Sequence, residues 1–114
     1  MATAKLETVV LKGGKAKGEI KLDYSVLRKA VLVLRAVNHD LRQQIVKLLN
    51  DSKKLTVTEI YVKLRLEQSV ASQHLAILRR AGVVVTERDG KYIFYTLDKN
   101  RIKEISELVS DLVK

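Results

Sequence analysis

The fold is decided by residues 56–84, which read TVTEIYVKLRLEQSVASQHLAILRRAGVV. Thr56 and Glu59 have the spacing of a capping box, in which each side chain satisfies a free backbone N–H of the other residue, so a short helix is predicted to begin there. A tight break over residues 65–67 separates it from a second helix over residues 68–81. The stretch therefore predicts two helices joined by a short turn, a helix-turn-helix.

A β-hairpin is predicted directly after this pair of helices. Gly82 is placed to end the second helix in the left-handed conformation. Residues 83–87 read VVVTE and residues 91–96 read KYIFYT, and β-branched and aromatic residues of this kind are typical of strands. Residues 88–90 read RDG, and Asp-Gly is among the strongest short-range signals for a hairpin turn. Such a hairpin would form a wing beside the helix-turn-helix.

Three further helices are predicted around this unit. The first, over residues 24–37, is apolar around nearly all of its circumference, which indicates burial on more than one side and, in so small a chain, a subunit interface. Asn38 is expected to cap the next helix, which ends at residues 50–52, and Asp98 or Asn100 is expected to cap the last. The predicted fold class is mostly α with a β-hairpin wing: a homodimeric winged helix-turn-helix of order α-α-α-α-β-β-α.

The chain of 114 residues is predicted to consist of an arm and one domain. Residues 1–22 are expected to form a mobile N-terminal arm, because their periodicity is weak and three glycines and four lysines fall within the first 20 positions. Residues 23–114 are expected to form the winged helix-turn-helix domain with its dimerisation helices. The longest uninterrupted apolar run is residues 30–34, so no membrane span and no signal peptide is predicted, and the protein is expected to be cytoplasmic.

The formal net charge is +9, and it is concentrated in the middle of the chain. Residues 24–97 hold thirteen basic and six acidic side chains, whereas residues 98–114 hold four of each. A basic excess of this size indicates a polyanionic partner. The neutral, amphipathic C-terminal segment is better suited to pairing subunits than to binding an anion.

Catalysis and metal binding are not predicted. Cysteine is absent, which excludes disulfides, thiolate metal sites and cysteine nucleophiles. The two histidines, His39 and His74, are far apart in sequence and do not make a closed zinc site. Gly13, Gly14 and Lys15 lack the glycine spacing of a phosphate-binding loop. We therefore expect no catalytic residue, no metal ligand and no cofactor. The protein is not expected to be an enzyme.

The second helix of the helix-turn-helix carries the side chains expected to contact DNA, because such a helix lies in the major groove. Small hydroxyl and amide groups cluster in its first turns and can hydrogen-bond base edges and phosphates. Val70 lies off the core stripe and could touch a thymine methyl group. His74 has two open interpretations, a phosphate contact or packing at the edge of the core. The polar residues of this cluster are Gln68, Ser69, Ser72 and Gln73.

Basic residues outside this cluster are expected to contact the DNA backbone. Arg88 and Lys91 flank the hairpin turn and could reach phosphates, although charged hairpin tips also serve solubility. Arg42 is a further candidate, near the start of its helix, where a cation and the helix dipole act together on an anion. Arg79 and Arg80 are expected to stabilise the C-terminal end of their helix rather than to read bases.

Residues 66–84 resemble the recognition segment of the ArsR family of bacterial winged-helix repressors, and RDGK at residues 88–91 followed by IFY at residues 93–95 resembles the wing of that family. The resemblance implies a homodimer that binds operator DNA and, in many members, releases it when an effector binds. It also places the dimer interface on the first and last helices. The residues expected there are Leu27, Val31, Leu34, Ile105, Leu108, Val109 and Leu112.

The sequence departs from the pattern of this family in ways that concern sensing. Many metal-sensing members carry a pair of cysteines on the first helix of the helix-turn-helix, and the positions that look equivalent here hold Thr56 and Thr58. The last helix has no histidine. Glu67 stands where a Ser or Thr cap is usual, which should weaken the start of the second helix. Metal and thiol sensing by the routes known in the family are therefore not expected. The effector is not identified by any residue, although a pocket between the first and last helices would admit a small apolar molecule.

The leading hypothesis is a sequence-specific regulator of transcription, a repressor that binds an inverted-repeat operator in double-stranded DNA as a homodimer. The two half-sites would lie one helical turn, ~34–36 Å, apart. The alternative is a winged-helix module that binds protein without reading DNA directly. The basic charge and the Ser/Gln cluster favour the first hypothesis.

Overall fold

The structure, a computed structural model, describes residues 8–11 and 20–114. The chain divides into two compact units, Met1–Val33 and Leu34–Lys114, which are described separately. The glycines and the Lys15 of the predicted N-terminal arm lie outside the described residues. The boundary predicted after residue 22 and the mobility of the arm stay predictions.

The first unit contains a pair of strands that the sequence did not predict. Strand β1 (Thr8–Leu11) pairs antiparallel with β2 (Ile20–Asp23), so that Thr8 lies opposite Asp23. Apolar and polar residues do not alternate cleanly along this stretch, and strand pairing between separated segments cannot be derived from the local pattern. The described part of residues 1–22 therefore includes regular structure.

Helix α1 (Tyr24–Val37) has the predicted bounds and begins directly after β2. The Asp23 carboxylate accepts hydrogen bonds from the backbone N–H of Ser25 at 2.9 Å and from the hydroxyl of Ser25 at 2.7 Å, which satisfies a free N–H at the helix start. The side-chain hydrogen bond from Ser25, with backbone hydrogen bonds from Val26 and Ser25, lowers the pKa of Asp23. A short acidic side chain thus sets where α1 begins.

The second unit has the predicted winged helix-turn-helix architecture with one added strand. The end of α1 is followed by a helix, a short strand, the two helices of the helix-turn-helix, a hairpin and a last helix. These elements are α2 (Asp40–Ser52), β3 (Lys54–Thr56), α3 (Val57–Leu64), α4 (Gln68–Arg80), β4 (Val84–Asp89), β5 (Tyr92–Leu97) and α5 (Lys99–Leu112).

The cap of α2 was predicted one residue too early. His39, not Asn38, is the N-cap, and its Nδ1 accepts a hydrogen bond from the backbone N–H of Leu41 at 3.2 Å. An imidazole can replace the usual oxygen acceptor because a neutral histidine has one unprotonated ring nitrogen. Asn38 instead continues the end of α1, since its N–H donates to the carbonyl of Leu34 at 3.0 Å.

The helix-turn-helix forms as the sequence predicts. The capping box of Thr56 and Glu59 is complete, with the backbone N–H of each residue donating to the side chain of the other. Arg65 ends α3 in the left-handed conformation, with φ 57°. The N-cap of α4 is Glu67, whose side chain makes no capping hydrogen bond. The weak helix start expected there stays a prediction.

The end of α4 is a Schellman motif centred on Gly82. The N–H of Val83 donates to the carbonyl of Leu78 and the N–H of Gly82 donates to that of Arg79, both at 3.0 Å. Gly82 has φ +79°, and a Cβ atom built there would lie 3.3 Å from Nε of Arg101 on α5. The positive φ therefore favours glycine, and a larger residue would also crowd the Arg101 side chain. The chain turns directly from here into the wing.

The predicted hairpin of β4 and β5 forms the wing, and β3 adds a third strand to it in an antiparallel sheet of order β3-β5-β4. Strand β3 was missed because three residues are too few for a recognisable period. The hairpin turn lies one residue further along than predicted, because Asp89 pairs with Tyr92 and leaves Gly90 and Lys91 as the central residues. Gly90, with φ +62°, supplies the left-handed conformation that such a turn needs.

The core of the second unit lies beneath the helix-turn-helix. Its largest fully buried side chains come from α2, α3, α4, the link between α4 and β4, and the start of β4. The inward face of α4 is therefore fixed by contacts with neighbouring elements. The outward face of α4 is left exposed. The fully buried residues are Ile45, Leu49, Ile60, Leu75, Leu78, Val83 and Val84.

Candidate nucleic-acid interface

The polar cluster predicted on the recognition helix is exposed on α4. Buried Ala71, Leu75 and Leu78 hold the opposite side of the helix in the core, so the position of the outward face is fixed by packing. Val70 is half-buried at its edge, with part of its side chain accessible. A rigid helix that presents short polar groups suits the reading of base edges. The exposed polar residues are Gln68, Ser69, Ser72 and Gln73.

His74 is turned away from this face and packs beside His39. The two ring centroids are 4.9 Å apart, and Nδ1 of His74 is buried without a hydrogen-bond partner among the described residues. Burial is the main cause that lowers the pKa of His74, and the nearby His39 and Arg42 lower it further. Of the two interpretations of His74, packing at the edge of the core is the one that this geometry supports.

This packing predicts a loss of stability in acid. Because the folded-state pKa of His74 is lowered, the unfolded chain takes up a proton at a higher pH, near the usual value of ~6.5. The free energy of unfolding should therefore be greatest above that pH and fall as the pH drops towards the folded-state pKa. Urea unfolding at fixed salt and protein concentration between about pH 7.5 and pH 5 measures the effect.

Two variants separate the contributions to this acid sensitivity. His74→Gln should flatten the pH dependence, whereas His39→Asn, which retains a good N-cap residue, should reduce it only in part because burial is the larger cause. If the free energy of unfolding of His74→Gln falls in acid as much as that of the wild type, His74 is not the source of the acid sensitivity.

Arg42 lies in the same neighbourhood and apart from the exposed polar cluster. One terminal nitrogen of its guanidinium donates to the carbonyl of Arg35 at 3.4 Å, and its Nε is buried. Gln43 donates likewise to the carbonyl of Val37 at 3.0 Å. Both side chains satisfy carbonyl groups at the end of α1. Arg42 thus has a structural partner, and nothing in its placement adds to the predicted phosphate contact.

The basic residues of the wing are exposed at its tip. Nε of Arg88 donates to the carbonyl of Gly90 at 3.3 Å, which holds its guanidinium against the turn. The ammonium group of Lys91 lies 5.5 Å from the centre of the Tyr92 ring. Both cations are therefore presented to solvent from an ordered hairpin, where they could contact a polyanion.

A cavity of about 480 Å³ lies between the recognition helix α4 and the wing. Ser72 of the polar cluster lies in its wall together with Arg79 and Arg80 from later in α4, and Tyr95 contributes from β5. The sequence pattern does not show this cavity, because Tyr95 lies 15 or more positions beyond the α4 residues and reaches them only through the fold. The remaining wall is formed by Leu75 and Ala76.

A second cavity, of about 330 Å³, is mainly apolar and lies between α2, α5 and Val83. Val46, Ile102 and Ile105 contribute to its wall, and Val37 is the one residue of α1 that does so. The predicted effector pocket was instead placed between the first and last helices. The effector pocket between the first and last helices stays a prediction.

Exposed apolar side chains mark the helices predicted to pair subunits. On α1, Leu27 and Val31 are exposed and Leu34 is half-buried. On α5, Ile105 is half-buried, whereas Leu108 is 50% exposed and Leu112 is 68% exposed. Large apolar residues repeated on one helix surface are typical of an interaction site. Val109 is also exposed.

Within residues 8–11 and 20–114 there is no group of three or more His, Asp or Glu side chains that could hold a metal ion. Over the same residues, no helix is long and apolar enough to cross a membrane.

The described geometry agrees with a known family. Residues 39–86, which run from the N-cap of α2 into β4, match the family described as "Bacterial regulatory protein, arsR family". The transcriptional activator HlyU of Vibrio cholerae is 43% identical over 84 residues, which cover 74% of this chain and 77% of that protein. The chain belongs to the arsR family of bacterial regulatory proteins.

Solved structures of related proteins confirm the fold of this ArsR-family regulator. The transcriptional repressor PagR of Bacillus anthracis superposes with a TM-score of 0.62 at 33% identity, covering 76% of this chain and 99% of PagR. A homodimeric winged helix-turn-helix DNA-binding domain from Mycobacterium bovis, a possible ArsR-family regulator, superposes with a TM-score of 0.62 at 25% identity, covering 77% of this chain and 83% of that one. The predicted family and winged helix-turn-helix fold are therefore both confirmed.

Proposed function

We propose that this ArsR-family regulator binds an inverted-repeat operator in double-stranded DNA as a homodimer and represses transcription from it. The observation that carries the proposal is the exposed Ser/Gln surface on the first turns of α4, held outward by a fully buried opposite side. A helix-turn-helix places the N-terminal residues of its second helix against base edges in the major groove.

The proposal assigns different contacts to different elements. Gln73 and Gln68 would contact base edges, where an amide pairs well with adenine, and Ser69 and Ser72 would contact bases or phosphates. Arg88 and Lys91 at the tip of the wing would contact phosphates, which supplies salt-dependent affinity without sequence preference. The net positive charge of residues 24–97 supports the same division.

Pairing of two chains follows from the symmetry of an inverted repeat, because each half-site needs its own recognition helix. The exposed apolar residues of α1 and α5 support an interface there, and the Mycobacterium bovis relative is described as homodimeric. The relatives differ in their effect on transcription, since HlyU is named an activator and PagR a repressor. A reporter gene placed behind the operator tests repression directly.

Replacing one base-reading side chain should weaken selection of sequence. Operators are first selected from genomic fragments, and binding is then measured by fluorescence anisotropy. Gln73→Ala should cost about 1–3 kcal/mol on the selected operator and relax preference at one base pair in each half-site. The matched control is Gln44→Ala, an exposed glutamine on α2 outside the proposed interface.

Three outcomes would contradict parts of this proposal. An equal loss on all duplexes would make Gln73 a backbone contact instead of a base reader. Affinity that barely falls as salt rises would contradict the electrostatic contribution. A wild-type protein that binds no genomic fragment even at low salt would favour a protein-binding module.

A further inference from the structure

The cavity between α4 and β5 is lined by two arginines that have no role in the proposed base contacts. Arg79 and Arg80 are exposed, and neither forms an ion pair with any described residue. None of the described carboxylates lines the cavity. Two cations at the end of a helix do stabilise its dipole, but that role needs no partner from the wing.

We propose that this cavity binds a phosphate group through the guanidinium groups of Arg79 and Arg80. The inference rests on the proposed function where the phosphate belongs to the DNA backbone, and the same chemistry would serve a free phosphorylated molecule. The planar guanidinium fork matches the geometry of phosphate oxygens and binds them with two parallel hydrogen bonds.

The placement of the arginine side chains supports this chemistry. Nε of Arg80 donates to the carbonyl of Ala76 at 3.4 Å, one turn earlier in α4, so the stem of Arg80 lies along the helix while its terminal nitrogens stay available. Arg79 adds a second guanidinium from the neighbouring position. Because this hydrogen bond already restrains Arg80, its side chain loses little freedom when an anion binds.

Two residues with hydroxyl groups line the cavity, one from α4 and one from β5. Ser72 lies two turns before Arg79 on the same helix, and Tyr95 lies across the cavity on β5, where it pairs with Thr86 of β4 and Leu55 of β3. Serine and tyrosine hydroxyls both donate hydrogen bonds to oxyanions. Because the central strand of a sheet carries Tyr95, its position relative to α4 is set by the fold.

The position of the cavity suits a nucleic-acid backbone. It begins at Ser72, within the polar cluster proposed to face the major groove, and ends at the wing, so a DNA strand leaving the groove would pass it. Its volume of about 480 Å³ admits a phosphate with its attached sugar. A phosphate held there would fix the angle between the recognition helix and the DNA without adding sequence preference.

The test compares charge-matched variants over a series of salt concentrations. Arg79→Gln/Arg80→Gln removes two positive charges from the cavity, and Lys47→Gln/Lys103→Gln removes two exposed positive charges from α2 and α5. The cavity variant should bind operator DNA roughly tenfold more weakly than the control, with a log–log salt slope shallower by about one. Arg79→Lys/Arg80→Lys should keep the slope and lose part of the affinity, because lysine retains the charge without the fork.

A second arm identifies the source of the phosphate and does not depend on DNA. Inorganic phosphate and AMP are titrated into the wild-type protein while the Nε–H resonances of Arg79 and Arg80 are followed by NMR. Saturable shifts of these resonances would assign the cavity to a free phosphorylated molecule. If the resonances do not shift but the cavity variant changes the salt slope of DNA binding, the cavity is assigned to the DNA backbone. The proposal is overturned if wild-type protein binds DNA, the cavity variant matches its control and neither anion shifts the resonances. A wild-type protein that binds no DNA removes the proposed function, and the NMR arm alone then decides.

Discussion

Leu75→Ala is expected to lower the free energy of unfolding by about 3 kcal/mol, within the ~2–5 kcal/mol typical of a fully buried leucine. Leu75 has no exposed surface, and it lies on the side of α4 that packs against the other core helices. The truncation removes transfer free energy and leaves a cavity that neighbours on separate elements cannot fill. For a chain of this size the thermal midpoint should fall by roughly 10–20 °C.

The measurement is urea and thermal unfolding at one protein concentration, because pairing of chains would make stability depend on concentration. Val62→Ala, on α3 with its side chain 61% exposed, is the control and should change stability by less than ~0.5 kcal/mol. At a temperature where Leu75→Ala is still folded, its preference among operator sequences should equal that of the wild type. Altered preference would mean that the inward side of α4 also sets the base-reading geometry.

The helices could be predicted from the sequence because their signals are local. The apolar spacing of residues 71, 75 and 78, the capping pair of Thr56 and Glu59, and the position of Gly82 each act within a few residues of the element they define. The family motif lies on the same elements. The prediction was therefore right where local sequence preference and tertiary packing agree.

The missed strands and the missed contact between the two histidines depend on partners distant in sequence. Strand β3 exists because Lys54–Thr56 pairs with β5 about 40 positions later, and the three residues alone carry no strand signal. The pairing of β1 with β2 arises in the same way. His39 and His74 were judged isolated because they are 35 positions apart, yet packing of α2 against α4 brings their rings together.

The candidate interface shows the same division. The exposure of Gln68, Ser69, Ser72 and Gln73 follows from helical periodicity, so the sequence sufficed. The cavity that Ser72 shares with Tyr95 needs the wing folded against α4. Its arginines were consequently interpreted from their helix alone, as partners of the dipole.

Leu108→Glu/Leu112→Glu on α5 is expected to convert the protein to a monomer and to weaken operator binding by about 100-fold or more. Both side chains are exposed in the single chain, at 50% and 68%, and their burial against a second copy would remove apolar surface from water. Residues 98–114 have no net charge, so two copies of α5 can approach without net charge repulsion. With two glutamates at these positions, dimer formation would remove their negative charges from water without an opposite charge to compensate.

The loss of DNA affinity follows from the geometry of an inverted repeat. A dimer that has engaged one half-site holds its second recognition helix at a high effective concentration near the other, and a monomer has no such advantage. The variant should bind a duplex with one half-site as well as the wild type binds it, since α4 and the wing are unchanged. Glutamate is a good helix former, so far-UV circular dichroism should show α5 intact.

Asn100→Glu/Ser110→Glu is the charge-matched control, because both positions are exposed on α5 and lie at helical angles away from Leu108 and Leu112. It should remain a dimer by light scattering and keep most of the affinity of the wild type. If Leu108→Glu/Leu112→Glu also remains a dimer, the subunits pair through some other surface, and the exposed apolar side of α5 needs a different partner. If it becomes a monomer that still binds the full operator tightly, recognition needs only one chain, and the inverted-repeat operator is wrong.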